Sequence, residues 1–217
     1  MPQLFGRTAN TLARASLLVV LLGVAGGLLL ADQIQKSPYV TEVELIKDQP
    51  VPFTHQHHVS GLGIDCRYCH TSVEDSSYAG IPPTATCMNC HSQMWSDSPM
   101  LAPVREAYKN DKPIEWVRVH DLPEFVYFNH SIHVKKGIGC ASCHGRVDEM
   151  PITWKTKTLY MGFCLECHRH PEGNVRETNE VFDMKWHPRT DQASYGEKLI
   201  DKNHITKNNV NCSTCHH

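Results

Sequence analysis

Ten cysteines occur in this 217-residue chain, and all ten fall into a single pattern, Cys-x-x-Cys-His, repeated five times. The copies are Cys66-Arg67-Tyr68-Cys69-His70, Cys87-Met88-Asn89-Cys90-His91, Cys140-Ala141-Ser142-Cys143-His144, Cys164-Leu165-Glu166-Cys167-His168 and Cys212-Ser213-Thr214-Cys215-His216. Each copy offers two thiols for the vinyl groups of a haem and an adjacent imidazole for its iron. At these Cys and His frequencies chance supplies only roughly 0.03 such motifs. Structural zinc uses Cys-x-x-Cys units in pairs, closed as four-ligand sites. An odd number of units, each followed by His, argues against zinc. No cysteine is left over for a disulfide.

Five covalently bound haem c groups would leave roughly 37 residues of polypeptide per haem after the hydrophobic N-terminus, too few to build a large apolar core of their own. The expected fold is therefore mostly loop with short α-helices wrapped around five haems, and little or no β. No alternating apolar pattern is long enough for a sheet. The formal net charge is −2, and no basic tract suggests nucleic acid. Haem propionates would add about ten negative charges and ferric irons return about five. The loaded protein is expected to be acidic.

Residues 15–31 (ASLLVVLLGVAGGLLLA) are apolar apart from one Ser. As a helix they extend about 26 Å, just enough for a hydrocarbon core of roughly 30 Å. Arg7 and Arg14 precede the run and Asp32 follows it, so the positive-inside rule places 1–14 in the cytoplasm and 32–217 outside. Covalent haem attachment in bacteria takes place on that outer side. The expectation is one transmembrane anchor at 15–31 in a bacterial inner membrane, with a periplasmic haem domain at 32–217. A cleaved signal peptide is the competing reading, but Leu29-Leu30-Ala31 sets a bulky residue where a small one is needed. Gly23 and Gly27 form a small-xxx-small pair that suits a helix contact as well as it suits an ordinary membrane helix.

The outer part repeats itself. Phe53-Thr54-His55-Gln56-His57-His58 precedes the first two motifs, and Phe128-Asn129-His130-Ser131-Ile132-His133 precedes the third and fourth. Two dihaem units follow, at 53–91 and 128–168, with a fifth haem appended at 204–217. The segment 97–123 reads as a linker with one helical turn near Val104–Tyr108, and 171–202 reads as polar loop. An open iron position allows catalysis, whereas two axial ligands make a low-spin electron carrier. His70, His91, His144, His168 and His216 supply one ligand each. The two His-x-x-His pairs supply four more imidazoles, His55, His58, His130 and His133, where four irons need them. Spacing of i, i+3 puts both rings on nearby faces of a short helix or turn. His57 breaks the pattern and is assigned to solvent or a propionate.

The last distal ligand is open among His120, His170, His187, His204 and His217, or a methionine: Met94, Met100, Met150 or Met161. His204 stands eight residues before Cys212, as His58 does before Cys66. His170 follows its own motif too closely to reach over that haem. A methionine would raise that haem's potential.

Phe-x-His-x-x-His followed by Cys-x-x-Cys-His resembles the class III, multihaem cytochromes c. The strings GLGIDCRYCHTSVEDSSYAGIPPTATCMNCHSQMW, WVRVHDLPEFVYFNHSIHVKKGIGCASCHGRVDEM and MGFCLECHRHPE resemble the pentahaem cytochrome c component of bacterial alternative complex III. That resemblance implies a periplasmic relay held by one N-terminal helix. It would receive electrons from an iron–sulfur subunit, following quinol oxidation by polytopic quinol-binding membrane subunits, and pass them to a monohaem cytochrome c or an oxidase. It also ranks His120 first as the remaining distal ligand and His204 second. The resemblance to class III cytochromes suggests His55 for the first motif and His130 for the third.

Relay is thus the leading expectation: an electron carrier in a respiratory chain with no substrate site of its own. A stand-alone membrane-anchored multihaem quinol dehydrogenase is the alternative. Its haem would need to lie near the membrane, and the first motif starts about 35 residues beyond the apolar run, longer than a short juxtamembrane link. A reductase for nitrogen or sulfur oxyanions needs an open iron, and all five motifs end in His with histidines to spare.

Overall fold

The structure is a computed structural model that describes residues 6–216. Part of the expected cytoplasmic segment, 1–5, and the candidate ligand His217 lie outside the described residues. The chain forms two compact units, Met1–Val43 and Glu44–His217.

The first unit is dominated by one helix, Ala9–Lys36. It is 28 residues long, and at 1.5 Å per residue it extends about 42 Å. It is long and apolar enough to cross a membrane, and none of its residues is buried. The helix outruns the apolar stretch at both ends because the flanking polar residues are ordinary helix formers. Asp32 and Lys36 pair one turn apart at 2.7 Å near its end. The Ser37 hydroxyl bonds the Ile34 carbonyl at 2.6 Å, and Pro38 follows.

In the second unit every attachment motif lies on a short helix. These are Cys66–Cys69, Thr84–His91, Cys140–His144, Met161–Arg169 and Cys212–Cys215. Among the described residues there is no strand; Ile138 and Val175 form an isolated antiparallel bridge. The apolar core is correspondingly small: Val175, Leu199 and Ile200 are buried, with Ile138, Tyr195 and Ile205 packed against them. The linker turn expected near Val104–Tyr108 is a full helix, Ala102–Lys109, with Val104 buried.

The segment 171–202 departs from expectation. It carries an 11-residue helix, Gln192–Lys202, with Gln192, Gly196, Leu199 and Ile200 buried. Tyr195, Leu199 and Ile200 share one face at helical spacing, a signal diluted by the charged residues around it. Gly196 permits the close approach of this helix to the preceding turn, since a Cβ there would stand 2.1 Å from the Glu172 carbonyl oxygen. The Gln192 side chain then bonds the carbonyls of Glu172 and Val175, each at 2.9 Å. The helix thereby closes the small apolar cluster around Val175.

Candidate functional site

The internal repeat is a structural repeat. Phe53 meets His55 edge-on at 4.9 Å and 90°, and stacks on His58 at 4.5 Å and 25°. Phe128 meets His130 at 4.8 Å and 89°, and His133 at 4.5 Å and 27°. One phenyl ring therefore sets the direction of both imidazoles in each pair. The backbones differ: His58 lies on a π-helical turn, Gln56–Gly61, whereas His130 and His133 lie on an α-helix, His130–Lys135. Asn129 caps that α-helix by accepting from the Ile132 amide.

Hydrogen bonds orient these rings. The Nδ1–H of His70 donates to the Gly80 carbonyl at 2.7 Å, that of His91 to Met94 at 3.0 Å, that of His168 to Asn209 at 2.8 Å and that of His216 to Phe125 at 3.0 Å. Likewise His58 donates to the Thr54 carbonyl, His130 to Ser77 and His133 to Asn129, at 2.7–2.9 Å. His55 Nδ1 bonds the Thr153 hydroxyl at 3.0 Å. A carbonyl oxygen only accepts, so in seven of these rings the proton is held on Nδ1 and Nε2 keeps its lone pair for a metal. Burial pushes His55 down from 6.5 to about 4, with the neighbouring His70 adding to the effect. Burial likewise lowers His133, and it takes His144 to about 3 with His120 beside it. These rings are neutral at ordinary pH, the form that binds iron.

Three pairs face each other across a gap. His58 and His91 have ring centres 6.2 Å apart, His133 and His168 6.2 Å, and His130 and His144 6.3 Å with planes only 12° apart. Two imidazoles bound through nitrogen on opposite sides of one metal ion, at ~2.0 Å each, have ring centres about 6.3 Å apart. Of the histidines that act electrostatically on His55, His70 acts most strongly. The residues present thus fit a haem at each motif: two thiols, an adjacent imidazole and, for these three, an opposed imidazole at metal-bridging distance. Among the described residues no three His, Cys, Asp or Glu side chains converge as a closed metal site requires. Burial also raises Cys140 to about 11 and Cys143 to about 12, so in the free chain both thiols are protonated at ordinary pH.

Contacts between motifs run in one line. Asn89 of the second motif donates to the Tyr68 hydroxyl of the first at 3.0 Å. The first and third share the strip Val181–Phe182: Arg67 lies 4.6 Å over the Phe182 ring, and the Cys140 amide donates to the Val181 carbonyl at 3.2 Å. The helix His130–Lys135 faces the third motif through His130 and the fourth through His133. Asn209 joins the fourth to the fifth by accepting from His168 and from the Thr214 hydroxyl, at 2.8 and 3.0 Å. The thiols feel one another in the same order: Cys87 acts on Cys69, Cys66 on Cys140, Cys167 on Cys143 and Cys215 on Cys164. The spatial order of motifs is second, first, third, fourth, fifth.

The remaining candidates scatter. His57 meets His58 edge-on at 5.4 Å and stacks on Trp95 at 5.6 Å, and Trp95 also stands 6.1 Å from His91. His170 is exposed and lies 3.4 Å from Glu172. His187 is exposed as well. His204 has a left-handed backbone, φ 50°, and its carbonyl accepts from Lys136. Met150 is buried, while Met94, Met100 and Met161 are exposed. His120 lies against His144, with ring centres 4.3 Å apart, and among the described residues no ring contact joins it to His216. Thr153, Lys155 and Arg176 escaped sequence reasoning, because nothing in their local sequence marks them as neighbours of a histidine or an attachment motif.

Comparison with known proteins agrees with this geometry. The cytochrome c3 family matches residues 132–217. A relative from Nitratidesulfovibrio vulgaris, described as the multiheme cytochrome c subunit of menaquinone reductase, is 33% identical over 154 residues, 61% of this chain and 73% of its own length.

Proposed function

Because the chain belongs to the multihaem cytochromes c, we propose that it is a membrane-anchored pentahaem relay in a quinol-oxidising respiratory complex like alternative complex III. In this reading Ala9–Lys36 anchors it in a bacterial inner membrane and the haem domain lies in the periplasm. Electrons arrive from an iron–sulfur subunit; they leave to a monohaem cytochrome c or a terminal oxidase. The chain carries electrons and has no substrate site of its own.

The opposed histidine pairs at 6.2–6.3 Å carry this reading. Bound haem c supplies one-electron iron chemistry. His91, His144 and His168, with His58, His130 and His133 opposite them, would hold the haem irons and would leave substrate no open position there. His55 serves with His70 by analogy within the repeat. Backbone carbonyls behind the rings of the three opposed pairs, His144 excepted, hold the imidazoles in place, which would keep reorganisation small when an electron arrives. The motif order leaves the second and fifth motifs at opposite ends of the relay. Cys90 and Cys212, in those two motifs, are the exposed cysteines of the ten, which suits hand-over to partners at the ends.

Purification in mild detergent tests the assignment. Co-purifying polytopic quinol-binding chains together with an iron–sulfur subunit support it, and a lone monomer overturns it. A monomer that a menaquinol analogue reduces directly would instead be the stand-alone quinol dehydrogenase. The name of the Nitratidesulfovibrio relative favours one further reading, a complex that delivers electrons to menaquinone. Haem midpoint potentials separate the directions: values above the menaquinone couple fit quinol oxidation, and values below it fit quinone reduction.

A further inference from the structure

Three buried side-chain polar atoms lack any hydrogen-bond partner among the described residues: His120 Nε2, Thr156 Oγ1 and Arg176 Nε. All three border the third motif. Thr156 packs against Gly145 and the Arg176 guanidinium against Gly139, the two glycines that flank Cys140–His144. His120 packs against His144 itself, edge to face at 4.3 Å and 70°. Leaving a buried polar atom unpaired costs about 1–3 kcal/mol. Three around one five-residue motif point to a polar group that the polypeptide does not supply.

His120 is the informative one. An unpaired imidazole nitrogen beside a haem motif is either an iron ligand or a donor to a haem carboxylate. Geometry separates the two. His144 already faces His130 in nearly parallel planes at 6.3 Å. At 4.3 Å, His120 is about 2 Å too close to stand opposite His144 across a metal ion. It makes no ring contact with His216 among the described residues, and the His216 ring instead neighbours Phe125 at 5.8 Å. His144 is also the one motif histidine whose ring makes no hydrogen bond among the described residues. The other four rest on backbone carbonyls, whereas His144 rests on the ring of His120. Lys155 lies close enough to act on His120 electrostatically. It has no carboxylate partner among the described residues, and a haem would bring propionates, anions that an ammonium attracts.

We propose that His120 is a positioning residue of the third motif and not an iron ligand: its ring braces His144, while its Nε2–H, together with the Lys155 ammonium, holds a haem carboxylate. This rests on the haem-binding reading, which haem counting on the wild-type holoprotein decides separately. If wild type carries five low-spin haems, the variants then test His120 alone.

The experiment compares full-length His120→Ala, His120→Gln and Lys155→Met in detergent by haem stoichiometry, carbon monoxide difference spectra and redox titration followed by electron paramagnetic resonance. His120→Ala is expected to keep five low-spin haems that do not bind carbon monoxide. It should shift the g-values of one low-spin signal and lower that haem's midpoint by about tenfold in equilibrium constant, 59 mV for one electron. Lys155→Met should lower the same midpoint, because an uncompensated carboxylate favours ferric iron. His120→Gln, which keeps an N–H donor, should lie between His120→Ala and wild type. A high-spin, carbon monoxide-binding iron in His120→Ala would make His120 a ligand and overturn the proposal. Unchanged g-values and midpoints in His120→Ala and Lys155→Met would make the pair inert packing and overturn it too. Should His120→Ala fail to accumulate with its haems, His120→Gln and Lys155→Met decide: wild-type g-values and midpoints in both overturn the proposal, and a lowered midpoint in Lys155→Met sustains it.

Discussion

His133→Ala removes one imidazole from the pair it forms with His168 at 6.2 Å. What it costs the polypeptide is small. The variant loses a hydrogen bond to the Asn129 carbonyl, 2.7 Å long, worth about 1 kcal/mol. It also loses stacking on Phe128 at 4.5 Å, worth about 0.5–1.5 kcal/mol. Alanine returns about 0.5 kcal/mol or more in helix propensity within His130–Lys135. A net loss of roughly 1–2 kcal/mol leaves a folded domain. The effect on the iron is all-or-none. If His133 is the ligand opposite His168, one haem in five loses its sixth ligand, so about a fifth of the total haem becomes high-spin and binds carbon monoxide. His130 should be unaffected, because its ring is held from the other side by Ser77. The assay is a carbon monoxide difference spectrum normalised to total haem, with the high-spin ferric resonance as a second readout. A fully low-spin spectrum with no carbon monoxide binding would refute the pairing and, with it, the use of ring separation to assign ligands.

His57→Ala should leave the low-spin count and carbon monoxide binding at wild-type levels, since His57 stacks on Trp95 and faces no motif histidine across a metal-sized gap; a new high-spin fraction would contradict this. Gly196→Ala forces a Cβ to 2.1 Å from the Glu172 carbonyl oxygen and should destabilise the domain by about 1–3 kcal/mol, read as a lower denaturation midpoint with unchanged haem content. Acid should loosen the fold through His120, which is not assigned to an iron. Burial lowers its pKa from 6.5 to about 4, so the unfolded chain binds more protons between those values. Its contribution is full above about pH 6.5 and is lost as pH falls towards 4; a denaturant midpoint that stays flat across that window would contradict it. A chain starting at Glu44 should partition into buffer with its haems attached, whereas the full chain should require detergent.

The candidate attachment motifs were legible in the sequence because each motif is local. Two thiols and an imidazole within five residues need no tertiary contact to identify them. The duplicated Phe-x-His-x-x-His was equally legible, and the 0.1 Å agreement of its phenyl–imidazole distances shows that spacing alone carried the geometry. The helix Gln192–Lys202 was not, because its apolar face of Tyr195, Leu199 and Ile200 gains meaning only against the turn at Pro171–Gly173. Pairing between histidines far apart in the chain was likewise beyond spacing. His58 faces His91, and His133 faces His168, because packing closes loops whose lengths do not dictate where they end. His120 shows the limit most clearly. Its sequence neighbours resemble those of a ligand, but the fold sets its ring against another imidazole. Which residues make up the five candidate attachment motifs is written in contiguous residues. Which motifs adjoin, and which histidines face each other, is decided by long-range packing, since a contact between distant residues depends on the whole folded path and not on the residues at its two ends.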